Sequence, residues 1–555
     1  MKKIWIALAA AVLMCLMATG AAAEISFTYT VNEDGETATI TGFTGEESGD
    51  LVIPGEIDGY TITAIGFKAF SDCSGFTGSL TIPDGISSIG EWAFYGCSGF
   101  TGSLTIPNSV SYIGDYAFDY CTGFTGSLTI PDSVASIGNF AFRDCSGITE
   151  FHVNDANNYY TSLDGILYTE DMLCLVAAPC GMQVEDFQIP DSITSIGVGA
   201  FYNCSGFTGS LIIPNNVSSI ENYAFLGCTG FTGALVIPDS VSYIGTSAFL
   251  TCSGFSGSLS IPDNVTSIGN YAFEDCSGFT GSLSIPKNIT SIGDSAFRGC
   301  SGFTGNLSLP ASLTSIGDYV FYNCSGFTGS LSIPKNITSI GDNAFRGCSG
   351  FTGNLSLPAS LTSIGNYVFY NCSGFTGSLS IPKNVTSIGN YAFRGCSGFT
   401  GNLSLPASLT SVGSYAFGNC SVVNAAYFYG DVPATWGTKV FNNSTADFTI
   451  YYPAGNTSGW TSSTWTAPDG TVYNTATFTP EDTTVTLPGD LSGDGVLDST
   501  DVLALTRYFA GYGTTPSLAA ADIDGNGKIT RRDAMILART VAGWDGYRLP
   551  WSDTK

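Results

Sequence analysis

Cysteine recurs in this chain with a fixed step, at positions 73, 97, 121 and 145 and then at 204, 228, 252, 276, 300, 324, 348, 372, 396 and 420, each run advancing by 24 residues. A strict period of that size means one short unit is repeated, and such a unit cannot bury its apolar side chains alone. The coil that begins at Cys276 carries Phe279, Leu283, Ile285, Ile289, Ile292 and Phe297. Leu283 and Ile285 alternate like one face of a strand, while Pro286 and Gly293 mark corners. Neighbouring coils must stack to close a continuous core, which predicts a β-rich, right-handed solenoid of 24-residue coils.

A solenoid needs atypical ends. Residues 24–72, with Phe27-Thr-Tyr-Thr-Val and Ala38-Thr-Ile-Thr-Gly, read as an N-terminal cap. The repeats then occupy 73–420, with an irregular insert at about 146–190, and 421–478 read as the C-terminal cap. A Thr/Pro-containing linker follows at 479–488. Residues 1–23 pair Lys2 and Lys3 with an apolar run from Ile4 to Met17 and end in Ala21-Ala22-Ala23, the pattern of a secretory signal peptide. The run is too short to span a membrane. The mature chain is therefore expected to be secreted, extracellular and without a membrane span.

The recurring pattern Ile-Pro-x-x-Val/Ile-x-Ser-Ile-Gly-x-x-Ala-Phe-x-x-Cys resembles the BspA-like leucine-rich repeat family, from about Phe27 to Tyr452. The passage from Phe151 to Tyr168 also resembles an insert frequent in that family. The resemblance implies a leucine-rich-repeat solenoid and a surface or secreted binding protein.

An exported cysteine ladder invites disulfides. In-register rungs, however, hold Cβ atoms about 4.8 Å apart, beyond the roughly 3.5–4.5 Å of a disulfide. A buried column of free thiols is the simpler expectation. Cys174 and Cys180 stand outside the ladder and are a candidate pair. Residues 276–323 and 324–371 differ only at Ser295 versus Asn343 and Asp318 versus Asn366, and 372–419 follow the same plan. Copied surfaces suit multivalent contact or spacing better than an active site, which needs one asymmetric constellation.

Catalytic patterns are scarce. The one histidine, His152, has no Gly-x-Ser-x-Gly elbow to serve, the ladder cysteines lack zinc spacing, and there is no phosphate-binding loop. Acids such as Asp84, Asp132, Asp191, Asp239 and Asp263 occupy corners, where turn chemistry explains them. The net charge of −28 argues against nucleic acid and anionic membranes as partners. Five residues before the ladder cysteine stand Trp92, Tyr116, Phe140, Tyr223, Tyr271, Tyr319, Tyr367, Tyr391 and Tyr415. This column either shields the core edge or offers rings to a glycan or partner. Lys287, Lys335 and Lys383 with Arg298, Arg346 and Arg394 form either a mildly basic strip or a solvated face. Asn-x-Ser/Thr triplets at Asn216, Asn264, Asn288 and Asn336 follow the repeat's corner.

After the linker the composition changes to two copies of one pattern, 32 residues apart. The first places Asp490, Ser492, Asp494, Val496, Asp498 and Asp501 at loop positions 1, 3, 5, 7, 9 and 12, with Gly495 at 6. The second places Asp522, Asp524, Asn526, Lys528, Thr530 and Asp533 in the same order, with Gly527 at 6. Oxygen donors at five positions, a backbone carbonyl at 7 and glycine for the sharp turn are what a hard cation with six or more ligands requires. Each loop should hold one calcium ion, two in all, and each leads into a single apolar-periodic helix. This half-EF-hand duplication resembles a type I dockerin, over residues 489–550. The resemblance implies an all-α calcium-binding module that docks on a cohesin domain of a scaffoldin. It also implies partner-binding roles for Ser499, Thr500, Arg507, Arg531, Arg532 and Arg539.

The expected function is a non-enzymatic, cellulosome-associated binding protein, anchored by its dockerin-like end and presenting the solenoid to polysaccharide, cell wall or protein. A surface adhesin and a polysaccharide-degrading component are the alternatives.

Overall fold

A computed structural model describes residues 25–421, 423–456, 459–479, 491, 499–511, 521 and 529–541. It divides into two units, one up to Asn288 and one from Ile289. The first unit, and the second as far as Phe478, are β-solenoids of coils about 24 residues long.

In the first unit, Ser26–Val31 pairs antiparallel with Thr37–Thr44, which runs parallel to Tyr60–Ile65. From there the sheet advances one coil at a time through Ser88–Ile89, Tyr112–Ile113 and Ser136–Ile137, in the register Ile65, Ile89, Ile113, Ile137. Residues of the expected insert form Ile148–Val153, parallel to Gly126–Ile130, and an antiparallel meander of Tyr160–Leu163, Ile166–Thr169 and Cys174–Ala177. Cys174–Ala177 then pairs parallel with Ser195–Ile196, and the coil-by-coil advance resumes.

In the second unit the Ser-Ile strands recur at Ser315–Ile316, Ser339–Ile340, Ser363–Ile364 and Ser387–Ile388. A second sheet runs from Gly377–Ser380 through Phe399–Leu405, Ala425–Phe428 and Thr449–Pro453 to Val472–Phe478, where antiparallel Ser463–Thr466 ends it. An antiparallel last strand turns the open edge of the stack aside.

The strand expected at Leu283 and Ile285 forms with Leu283 buried and Ser284 exposed, but it varies in length from coil to coil. Many coils hold only a two-residue pairing there, such as Leu283–Ser284 on Leu259–Ser260, and the most regular ladder belongs to the Ser-Ile dipeptide. The turn after it is ladder-bonded too, with Trp92 N, Phe94 N and Gly96 N donating to the carbonyls of Asp115, Ala117 and Asp119 one coil on. Backbone groups are thus paired in corners as well as strands, as burial demands.

The core is a set of columns. Phe94 stacks on Phe118 at 5.2 Å, and Phe225 on Phe249 and Phe249 on Phe273 at the same distance. A buried phenylalanine contributes about 1.5–3 kcal/mol, and each ring pair about 0.5–1.5 kcal/mol more. Between the phenylalanines runs the cysteine column. Its thiols are free and buried, and the Sγ of Cys97, Cys121, Cys252 and Cys372 lies 2.9–3.0 Å from the carbonyl oxygen of a phenylalanine one coil earlier.

Cys174 and Cys180 are both free, and Cys180 is not outside the ladder. Gly181 lies against the carbonyls of Ser146 and Ile148, as Gly99 lies against those of Ser74 and Phe76. Cys180, half-buried, lies near enough to both Cys145 and Cys204 for a charge on it to bear on each. It supplies the rung that the insert removes from the 24-residue count.

Candidate functional site

Within the C-terminal module two helices are described, Ser499–Phe509 and Arg531–Val541. Both are amphipathic, and Leu505, Ala521, Ile536 and Leu537 form their shared buried core. Asp501 and Asp533, each in the first turn of its helix, are fully buried. Asp501 Oδ1 accepts from the Leu491 amide at 2.9 Å. Asp533 Oδ2 accepts from the amide and the hydroxyl of Thr530, at 2.6 and 2.8 Å. A carboxylate taken wholly out of water is costly unless paired, hydrogen-bonded or metal-bound. Each of these carboxylates follows a stretch of sequence rich in oxygen donors, and that chemistry fits a hard divalent cation.

Of the other residues picked out in the sequence, Ser499, Arg507, Arg531 and Arg532 are exposed on these helices and Thr530 is half-buried. Thr500 and Arg539 lie in the helices, with their side chains outside the description. Asp490, Ser492, Asp494, Val496, Asp498, Asp522, Asp524, Asn526 and Lys528 lie outside the described residues, as do residues 1–24.

On the solenoid, the aromatic column sits where the backbone turns left-handed. Trp92, Tyr116, Tyr319, Tyr367, Tyr391 and Tyr415 have φ between 54° and 59°, and Ser247, Ser295 and Asn343 take the same conformation in other coils. A non-glycine residue there costs about 1–3 kcal/mol. Ring stacking offsets part of that cost, since Trp92 lies 4.3 Å from Tyr116, Tyr367 4.7 Å from Tyr391 and Tyr391 5.2 Å from Tyr415. The rings turn their faces to one another, so an approaching ligand meets edges and hydroxyls.

The arginines are packed into this column and do not form a plain solvated face. Arg346 Cζ lies 5.3, 5.2 and 4.9 Å from the ring centres of Tyr322, Tyr367 and Tyr370, and Arg394 lies 5.9, 5.4 and 5.4 Å from those of Tyr370, Tyr391 and Tyr415. Arg143 is caged by Tyr116, Tyr120, Phe140 and Tyr202. Its Nε and Nη2 also hold both carboxylate oxygens of Asp119, at 2.8 and 2.5 Å. Burial pushes Asp119 up to about 6 against the pull of that guanidinium. Burial works to lower Arg143, but the hydrogen bond and charge of Asp119 raise it. The pair was missed in the sequence, although both residues stand two before their cysteine in consecutive coils.

His152 is exposed on the strand Ile148–Val153. The amides of Asn216, Asn264, Asn288 and Asn336 donate across the corner to carbonyls of the preceding coil, at 2.6–3.1 Å.

Fold and site together define a leucine-rich-repeat β-solenoid joined to a small helical module. The chain belongs to the BspA type Leucine rich repeat region family, whose model, in 6 copies, matches residues 57–163, 179–304, 277–377 and 316–448. Residues 488–542 match the Dockerin type I domain. Both are non-catalytic modules typical of extracellular or cell-surface proteins, and type I dockerins bind calcium and attach their carrier to a cohesin. Among solved structures, the chain is similar to a leucine-rich repeat protein from Bacteroides ovatus, with 24% identity and a TM-score of 0.40 over 72% of this chain and 93% of that one. It is also similar to a leucine rich cell surface protein from Faecalibacterium prausnitzii, with 24% identity and a TM-score of 0.37 over 73% and 94% of the two chains. No curated protein matches the chain. Among the described residues no helix is long and apolar enough to cross a membrane.

Proposed function

We propose that the protein is an exported, non-catalytic component of a cellulosome-like assembly, in which the dockerin end attaches the chain to a cohesin and the solenoid presents a binding surface. The observation that carries this reading is the pair of buried aspartates, Asp501 and Asp533, each in the first turn of a helix that follows an oxygen-rich loop. Asp490, Ser492, Asp494, Asp498 and Asp501 would hold one calcium ion with the carbonyl of Val496. Asp522, Asp524, Asn526, Thr530 and Asp533 would hold the second with the carbonyl of Lys528. Calcium supplies the charge that lets these carboxylates converge. The exposed side chains of Ser499, Arg507, Arg531 and Arg532, with Thr500 and Arg539, then form the cohesin-facing surface. The pairs Ser499-Thr500 and Arg531-Arg532 differ, so the two halves of the module offer a partner different chemistry.

Titration of the full chain against a panel of cohesins, with calcium and with chelator, tests the attachment. Binding that needs calcium supports it. Absence of binding to any cohesin would remove it and leave a surface adhesin as the better reading.

A further inference from the structure

Residues 276–419 are a three-fold copy of one two-coil segment, and the differences between copies are informative. Arg298, Arg346 and Arg394 are equivalent and constant. Four residues before each arginine the copies read Asp294, Asp342 and Asn390, and one coil on they read Asp318, Asn366 and Ser414. In the turn that carries the rings, Ser295 becomes Asn343 and then Tyr391. Carboxylates disappear along the stack, rings accumulate and the cation stays.

Arg143 shows what this column does when its charge is internally matched, because Asp119 holds its fork through both oxygens. Around Arg346 and Arg394 the neighbouring rungs of the column are Tyr322, Tyr370 and Gly418. Among the described residues neither arginine has an ion-pair partner, the ion pairs found being those of Arg143. Arg394 Nε is buried and makes no hydrogen bond. A buried donor left unsatisfied costs about 1–3 kcal/mol and calls for an acceptor. Gly418 stands where the other copies have Tyr322 and Tyr370, and a Cβ added there would lie 3.6 Å from Arg394 Cγ. At Gly418, which is itself buried, no ring covers Arg394 as Tyr322 and Tyr370 do in the other copies, and Arg394 stays half-buried.

We infer that Arg346 and Arg394, with Tyr367, Tyr391 and Tyr415, form a binding site for a carboxylated polysaccharide, a linear polymer of uronic acid sugars. A guanidinium fork takes a carboxylate in two parallel hydrogen bonds. Ring edges and hydroxyls beside it suit a pyranose, which places C–H groups and hydroxyls next to its carboxylate. A bare phosphate chain would leave the rings without a partner. Arginines two coils apart, about 10 Å at the spacing of stacked strands, meet a repeating polymer at more than one sugar, which multiplies weak contacts. The protein's negative charge elsewhere is screened within about 8 Å at physiological salt. This inference rests on the reading of the solenoid as the ligand-presenting half and is independent of the dockerin.

The test is isothermal titration of the full chain with polygalacturonate, its methyl ester and polyphosphate at physiological salt. Binding to the free acid alone is expected, weakened about tenfold or more by Arg394→Gln and further by Arg346→Gln, and unaffected by Lys335→Gln, which removes an exposed charge outside the column. Asn366→Asp with Asn390→Asp restores the acids of the first copy and should weaken binding through the negative charge added beside the arginines. The fold tolerates them, because Asp318 and Asp342 accept the same next-coil amide as Asn366 and Asn390 do. Equal binding of the ester or of polyphosphate, or binding indifferent to these variants, would overturn the inference. Binding of neutral polysaccharides alone would overturn it while leaving the proposed function intact, and cohesin binding with no polysaccharide binding at all would also remove the solenoid's proposed polysaccharide ligand.

Discussion

The thiol of Cys97 donates to the carbonyl oxygen of Phe70 across 2.9 Å, one coil back, and Cys121 repeats the contact on Phe94 at 3.0 Å. The ladder is therefore a hydrogen-bonded column inside the core. Thiolates, not thiols, react, and burial pushes ladder thiols such as Cys204 and Cys324 well above their ordinary range. Alkylation of the native chain, mapped by mass spectrometry, should label Cys174 first. Cys180, pushed up to about 12 by burial, should follow slowly, and the ladder should react only after denaturation. Ladder peptides recovered as disulfides, or labelled as fast as Cys174, would contradict the column of free thiols.

The same thiols set an alkaline limit. Their folded values lie above the unfolded value of 9.0, so their contribution to stability is complete below pH 9. Above it the unfolded chain releases protons that the folded chain keeps, and stability falls as pH rises. The slope approaches about 1.4 kcal/mol per pH unit for each thiol. Urea unfolding followed across pH 9 should show a midpoint that drops steeply, and a flat profile would show that the thiols are not held protonated.

Asp119 acts in a different window. Its carboxyl is raised from 3.8 to about 6, burial outweighing the Arg143 hydrogen bond. A raised acid contributes stability that is complete below pH 4 and lost as pH climbs through 6. The thermal midpoint of the native chain relative to Asp119→Asn should therefore decline between pH 4 and 6. A rising difference would mean that Arg143 dominates and that the folded carboxylate is the favoured form.

Much of this architecture is legible in the amino-acid sequence. The 24-residue step of the cysteines fixes the coil, and Pro286 and Gly293 fix corners, because a solenoid repeats each local choice. Cys180 escaped because it lies 35 residues after Cys145, and only the path of the antiparallel meander returns it to the column. The rings were legible as a column but not as a self-stacked one. Their direction depends on the left-handed turn at Tyr367 and Tyr391, a conformation that a tyrosine in a sequence does not announce. The pattern expected of two calcium loops is readable as glycine and oxygen donors at fixed positions in both copies, but most of its residues lie outside the described ones.

Close approach of coils makes one glycine decisive. A Cβ added at Gly123 would lie 1.9 Å from the carbonyl oxygen of Phe100, a backbone atom that cannot swing aside. Gly123→Ala must push two coils apart, breaking ladder bonds beside the Phe100–Phe124 stack. A loss of about 1–3 kcal/mol is expected. Hydrogen exchange should place the lost protection in the coils on either side, because each coil contacts only its neighbours. Uniform loss along the whole unit, or none, would contradict the close contact.

The C-terminal module should depend on calcium in a way the solenoid does not. Among the described residues, Leu505, Ala521, Ile536 and Leu537 are the buried core of the two helices, and a module of about 60 residues rarely holds together without a staple. Without the ion, Asp501 and Asp533 would remain as buried carboxylates next to loops dense in like charge, and unfolding of the module relieves both costs. Limited proteolysis of the full chain should therefore leave the module intact in calcium. In chelator it should cut within residues 499–541 while the coils persist. Asp501→Ala and Asp533→Ala should each be cut even in calcium if, as proposed, each carboxylate is a ligand of the ion. Protection that survives chelation would show that the helices are held by their apolar contacts alone, and the two loops would then need another role.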